Sequence, residues 1–445
     1  MANPLPKMPL LVVIYPYKFS EFLYTLLELD CYPPYCEVVV WDISQLVNLK
    51  FSNAVTSERS QRSNVVQVSR WRNFFRQVSE LRHRSKVTRL YIFNYVVNSN
   101  LLELFSSLTL SFLLRKNDPT FIQIEAAGIL RYYPLTTSAG TQFNLEPGWL
   151  AKLRFFTATL TTFTELIVRL QYSLVRALAQ MLPDANTFRL VAGQQYLAPA
   201  LRRHPRAAKL VFGHSEDYSR YLIHTKHPFP HAARNAKLAV LLESNGPMFA
   251  GDTIQMGSAQ FETIAMWYPS LTKFIDQLEL ATMVRVEIAG HYKSAHPSTP
   301  DYYGKRHVRY GETQELVRNS EFVIVRTSTA TSFAVLYRKP IIFIYSNQTK
   351  NNPQEMLDCW GMASFLGTKP INIDQPPWNF AELLQVNETR YTAYEKACLT
   401  SAGSTRPNSQ IILEDIMGIT TASGSDTVRN LPPANQSASE HTSNR

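Results

Sequence analysis

Ten short runs of apolar, largely β-branched residues set the strongest constraint on this chain, because almost all of them are separated by stretches that read as helix or turn. The runs fall at Pro9–Tyr15, Glu37–Trp41, Val65–Val68, Arg89–Phe93, Phe121–Glu125, Lys209–Phe212, Lys237–Leu242, Val284–Ala289, Phe322–Val325 and Pro340–Tyr345. A strand that is apolar on both faces must be covered on both faces. Strands alternating with helical stretches predict parallel sheets with crossovers on either side. The expected fold class is α/β, with two Rossmann-like doubly wound domains facing a cleft.

The chain has 445 residues, which suits two such domains plus a tail. The expected division is an N-terminal domain over 1–205, a nucleotide-sugar-binding domain over 206–418, and a disordered tail over 419–445. That tail is rich in Thr, Ser, Asn and Pro and too poor in apolar residues to offset its ordering entropy. A helix is expected within Ala151–Leu182, ended by Pro183-Asp184, with its Phe- and Leu-rich face read as core. Resting on a membrane surface is the alternative for that face.

The formal net charge is +10, from 45 Lys and Arg against 35 Asp and Glu. This favours an anionic partner such as nucleotide phosphate or a membrane surface. The basic residues are scattered and do not interleave with aromatics along a stripe, so nucleic acid is not expected. Four cysteines, Cys31, Cys36, Cys359 and Cys398, form no disulfide framework. Free thiols in a reducing, cytoplasmic setting are expected. No run reaches the roughly 20 uncharged residues of a membrane span, and no secretory leader is read at the N-terminus.

Three segments could carry chemistry. Phe322–Val325 runs into Arg326, Thr327, Ser328 and Thr329, with a helix expected to open at once. Hydroxyls there serve either as ordinary caps or as phosphate ligands. Val284–Ala289 ends in Gly290-His291, with Lys293 two residues on; His and Lys can both donate to phosphate oxygens. Leu242 is followed by Glu243, whose carboxylate could take sugar hydroxyls or cap the loop. Glu216 and Asp217 follow the Lys209–Phe212 run at the expected domain junction and are the candidate catalytic acids. Neither an Asp-x-Asp pair for a metal–diphosphate complex nor an early Gly-x-Gly-x-x-Gly occurs, which argues against a metal site and against a dehydrogenase.

The stretches VLLESNGPMFAGD, VEIAGHYKS, YGETQELVRNSEFVIVRTSTATSFAVLYRKPIIFI and FLGTKPINID, in this order, resemble the C-terminal domain of bacterial surface-carbohydrate biosynthesis proteins of the GT-B glycosyltransferase type. The resemblance covers about Lys209 to Cys398. It implies a nucleotide sugar held as substrate, no separate cofactor, and His291, Ser328 and Thr329 at the phosphates. It also implies a carbohydrate or lipid-linked glycan acceptor and peripheral contact with the inner membrane. Tyr292 stands where that family has Pro, and Arg326 where it has His. Glu243 is the one acid left where the family has two. The alternatives are a polyol-phosphate transferase with a CDP-linked donor and a degenerate, non-catalytic nucleotide-binding homologue. A sugar epimerase is also conceivable, but it needs more cleft acids than the sequence supplies.

Overall fold

The computed structural model describes residues 8–55, 58–96, 99–125, 135–136, 142–143, 163–181, 187–197, 209–226, 237–244, 246–247, 261–291, 302–401 and 403–421. Two parallel sheets organise them. The first contains β1 (Leu10–Tyr15), β2 (Glu37–Asp42), β3 (Val65–Gln67), β4 (Leu90–Asn94), β5 (Thr120–Glu125), β6 (Phe188–Val191) and β7 (Lys209–Phe212), in spatial order β3-β2-β1-β4-β5-β6-β7. The second contains β8 (Leu238–Leu242), β9 (Arg285–Gly290), β10 (Val308–Tyr310), β11 (Phe322–Val325), β12 (Ile341–Tyr345) and β13 (Ile371–Asn372), in order β10-β9-β8-β11-β12-β13. Every strand pair in both sheets is parallel. The two-domain, Rossmann-like α/β expectation therefore describes the molecule.

Both faces of each sheet are covered, as the apolar runs require. Leu11 and Val13 of β1 join a core with α1 (Glu21–Leu26), while Leu10, Val12 and Ile14 join another with α2 (Trp71–Arg84) and α3 (Leu101–Leu114). In the second sheet, Ala239 and Leu241 pack on α6 (Ile264–Thr282), whereas Val240 and Leu242 face α7 (Thr313–Asn319), α8 (Thr331–Leu336) and α9 (Pro353–Phe365). The helices between are α4 (Phe163–Met181) and α5 (Glu216–Lys226); α10 (Glu388–Tyr394) and α11 (Asn408–Ile411) close the chain.

Three expectations change. The boundary at 205/206 falls a strand early: Lys209–Phe212 pairs with Phe188–Val191 as the edge of the first sheet, so the crossing to the second sheet comes after it. The C-terminal segment does not end on the second domain either. Ile411, Ile412, Leu413 and Ile416 pack into the first core beside Leu11 and Ile122, and Tyr91 Oη donates to the Met417 carbonyl at 3.2 Å. A single amphipathic turn carries too little pattern to show which lobe it joins. Third, the long helix is described as Phe163–Met181, and its Phe/Leu stripe faces outward instead of into a core. Of the expected tail, all but 419–421 lies outside the described residues. All four cysteines are free.

The lobes are tied along one seam. Ser215 N donates to Leu399 O at 2.7 Å, Ser401 N to Gly213 O at 3.0 Å, and Ser401 Oγ to Val191 O at 2.8 Å. Gly193 lies against this seam with φ +77°, and a Cβ there would stand 2.4 Å from Ala397 O and 2.6 Å from Cys398 Cα. Neither backbone atom can yield without opening the seam. Gly193→Ala is therefore expected to cost about 3 kcal/mol of unfolding free energy, from overpacking and left-handed strain together. Urea titration monitored by tryptophan fluorescence checks this; a loss within experimental scatter of zero contradicts the close approach.

Candidate functional site

In an open parallel sheet, ligands bind beyond the carboxyl ends of the strands where the winding order reverses. In the second sheet the reversal falls between β8 and β11. Glu243 follows β8, His291 follows β9, and Arg326-Thr327-Ser328-Thr329 follows β11, so the structure brings these segments to one edge around that crevice. Lys293 lies outside the described residues.

Most of these groups hold the edge together. Glu243 accepts the His291 backbone N–H at 2.8 Å through Oε2 and the Tyr303 hydroxyl at 2.6 Å through Oε1. It thereby fixes the backbone that carries the partly buried His291. Arg326 departs from the expectation of a fork offered to phosphate. Its side chain is 1% exposed, ion-paired with Glu262 and with Glu355 (3.4 Å), and lies 5.2 Å from the ring centroids of both Phe261 and Trp267. A fully buried guanidinium must be paired, and these two carboxylates pair it. Glu262 also accepts the Thr349 hydroxyl at 2.8 Å, and Glu355 that of Thr327 at 2.9 Å. Ser328 Oγ accepts the Ala330 N–H at 3.2 Å, and Thr329 is exposed.

The second group gathers on α5, which leaves the first sheet after β7 and lies against α1 of the first lobe and α8 of the second. Ser332 Oγ donates to Asp217 Oδ2 and, at 2.8 Å, lies against the Thr329 carbonyl. Asp217 is thus one residue removed from the Thr-Ser-Thr turn. Glu216, adjacent in sequence, is felt electrostatically by Tyr95, which follows β4 where the winding order of the first sheet reverses. Burial pushes the Glu216 carboxyl up to about 8, with the charges of Asp217 and Glu28 adding to the rise. Burial also raises Asp217, to about 6, against the pull of the Ser332 hydrogen bond and Arg220. Two neighbouring carboxyls whose environments separate their protonation are the usual basis for an acid and a base acting together.

Sequence reasoning missed the remainder of this cluster. Arg220, 8% exposed, lies 5.8 Å from the Phe22 ring and 6.0 Å from Phe333, one in each lobe. Glu28, with φ 54°, accepts the Ser409 N–H at 2.9 Å. His214 is fully buried between Thr400 Oγ1 (2.8 Å) and the Arg406 carbonyl (3.1 Å), and burial pushes its pKa down to about 4. None of these carries a local motif; each acquires meaning only through residues far along the chain. Burial also raises the thiols of Cys36 and Cys398 to about 12, which leaves them protonated and poor nucleophiles.

No family model matches the sequence, and no curated protein matches it. Among solved structures, the chain is similar to Staphylococcus aureus MnaA bound to UDP, at 10% identity over 94% of this chain and 100% of that one, with a TM-score of 0.46. It is similar to Acinetobacter baumannii MurG at 10% identity over 92% and 100%, TM-score 0.39. It is also similar to Phytolacca americana UGT2, crystallised with UDP-2-fluoro-glucose and pterostilbene, at 10% identity over 92% and 93%, TM-score 0.39. Likeness at this level assigns no activity.

Proposed function

We propose that the chain is a glycosyltransferase that holds a nucleotide sugar at the β8/β11 crevice and transfers the sugar to a surface-polysaccharide or glycolipid acceptor bound on the first lobe. The observation that carries this reading is the position of the first turn of α5. Asp217 bonds Ser332, three residues past the Thr-Ser-Thr turn of the second lobe, from a helix that also lies against α1 of the first.

In this reading, Ser328, Thr329 and His291 meet the charge of the phosphate leaving group. Asp217, mostly ionised near neutral pH, takes the proton of the acceptor hydroxyl. Tyr15, Tyr17 and Tyr95, with ring centroids 6.0 and 5.6 Å from Tyr15 to the other two, rim the first-lobe crevice and offer apolar faces to an acceptor sugar. Transfer of a polyol phosphate from a CDP-linked donor would use the same contacts. One observation favours a second reading, a nucleotide-sugar epimerase: Glu28, Glu216 and Asp217 supply more interlobe carboxyls than the sequence led us to expect.

A thermal-shift panel of UDP, GDP, CDP and CMP tests the binding step. At a hundred times its dissociation constant, a nucleotide adds about 2.7 kcal/mol of stability. At least one is expected to raise the wild-type melting temperature, and Ser328→Ala/Thr329→Ala is expected to lose most of that rise. No shift with any nucleotide contradicts this reading; a full shift in the double variant places the phosphates elsewhere. Release of free nucleotide with sugar appearing on an acceptor separates transfer from epimerisation.

A further inference from the structure

The first lobe carries an apolar surface that its own core does not use. On α3, Leu101, Phe105, Leu108 and Phe112 recur at the spacing of a single helical face, each between 37% and 77% exposed. On α4, Phe163, Ile167, Leu170, Leu174 and Leu178 recur in the same way, between 38% and 75% exposed. The two helices touch each other. Two adjacent outward stripes far exceed the scattered apolar residues of an ordinary surface.

The surroundings of these stripes say what covers them. Trp71 of α2 packs edge-on to Phe105 with ring centroids 5.0 Å apart, and the exposed Phe75 lies beside it at 6.2 Å. The elements that border the stripes carry exposed cations: Arg72, Arg76 and Arg82 on α2, and Arg115 and Lys116 just past the end of α3. The Asn117 side chain, donating to the Arg82 carbonyl at 3.1 Å, brings these two basic ends together. Glu80 and Asp118 are the exposed acids among them. Apolar stripes flanked by aromatics and a cationic margin match the boundary between acyl chains and anionic headgroups. A second copy of the chain would instead set like charges against each other. No helix among the described residues is long and apolar enough to cross a bilayer, so the fit is to a surface.

We propose that the α3–α4 face, with the basic margin from α2 and residues 115–116, docks on an anionic membrane surface. The N-terminus of α3 follows β4 at the carboxyl edge of the first sheet, so Leu101 and Leu102 lie at the end of this face nearest the cleft mouth. Docking in this sense places the lipid surface within reach of the first-lobe crevice.

Flotation of the full chain with vesicles tests the proposal, without nucleotide, so that failure to bind nucleotide leaves the result interpretable. Vesicles of phosphatidylcholine with about a third phosphatidylglycerol are expected to float the protein, and pure phosphatidylcholine much less. Raising the salt from about 0.1 M to about 1 M, which shortens the screening length from about 10 Å to about 3 Å, is expected to release most of it. Phe112→Asp/Leu174→Asp, both at exposed positions, is expected to reduce partitioning at least tenfold, because the apolar face no longer inserts. Arg72→Gln/Arg76→Gln is expected to reduce it about thirtyfold on anionic vesicles alone, the effect of removing two surface charges. Circular dichroism establishes that each variant keeps its fold. Absence of flotation by the wild type overturns the proposal. So does a wild-type dimer, seen by light scattering, that Phe112→Asp/Leu174→Asp dissociates, for the face is then a contact between copies.

Discussion

Replacing Arg326 with methionine is expected to lower the unfolding free energy by about 4 kcal/mol, because it removes the main partner of a carboxylate that cannot reach water. Glu262 is 1% exposed, and a neutral hydroxyl such as that of Thr349, which it also accepts, does not replace the charge of the guanidinium. Burial already pushes the Glu262 carboxyl above its ordinary range, with Arg326 acting against that rise. The change also removes the guanidinium that lies 5.2 Å from the ring centroids of Phe261 and Trp267, and it leaves Glu355 holding that strand end through the Thr327 hydroxyl alone of these two contacts. Arg326→Met/Glu262→Gln tests the cause. A neutral amide keeps a hydrogen bond to Thr349 without an orphan charge, so the double variant is expected to recover about half of the loss. Guanidinium titrations of the three proteins, with equal m-values, give the comparison. A single-variant loss below about 1 kcal/mol contradicts the assignment of the pair as a buried, mutually dependent unit.

Glu216 provides the second large effect, and its sign follows from proton linkage. Its folded-state carboxyl lies at about 8, against 4.5 for the ordinary group. Between these values the folded protein holds a proton that the unfolded chain has released. Unfolding therefore becomes easier as pH rises through this window, and the effect vanishes below about 4.5. Glu216→Gln cannot ionise and escapes the penalty. Its stability relative to wild type is expected to climb by roughly 4 kcal/mol between pH 4.5 and pH 8.5. Asp217 and Glu28 share in the titration, so the rise extends over more than a single group's width. Chemical unfolding at three pH values across the window reads the gap directly, and parallel curves for the two proteins would falsify the raised carboxyl. The same measurement bears on chemistry: a protonated Glu216 beside an ionised Asp217 gives the cleft one donor and one acceptor near neutrality.

The sheets were legible in the sequence because a strand buried on both faces leaves a run that needs no context. FVIV, PIIFIY and KLAVLL can be little else when turns bound them. Phe188–Val191, with Arg189 inside it, and the three-residue Val308–Tyr310 lack such a run, and they emerge only through pairing with neighbours. The candidate phosphate edge was legible for a related reason: in a parallel sheet the residue after each strand must lie at one common edge, so Glu243, His291 and Ser328 could be grouped before any coordinates.

What each side chain does at that edge was not legible. Arg326 reads as a donor for a ligand until Glu262 and Glu355, 64 and 29 positions away, fold over it. The α4 stripe has the spacing of a core helix, and spacing alone does not say which side of a helix meets the lobe. Sequence determined the local hydrogen-bonding and burial demands of each segment, which fixed two parallel sheets and their polar edges. Tertiary structure decided the partners, because pairing of charges, closure of the seam at Gly193 and the return of Ile411–Met417 to the first lobe depend on contacts between distant residues, for which a linear pattern holds no distance.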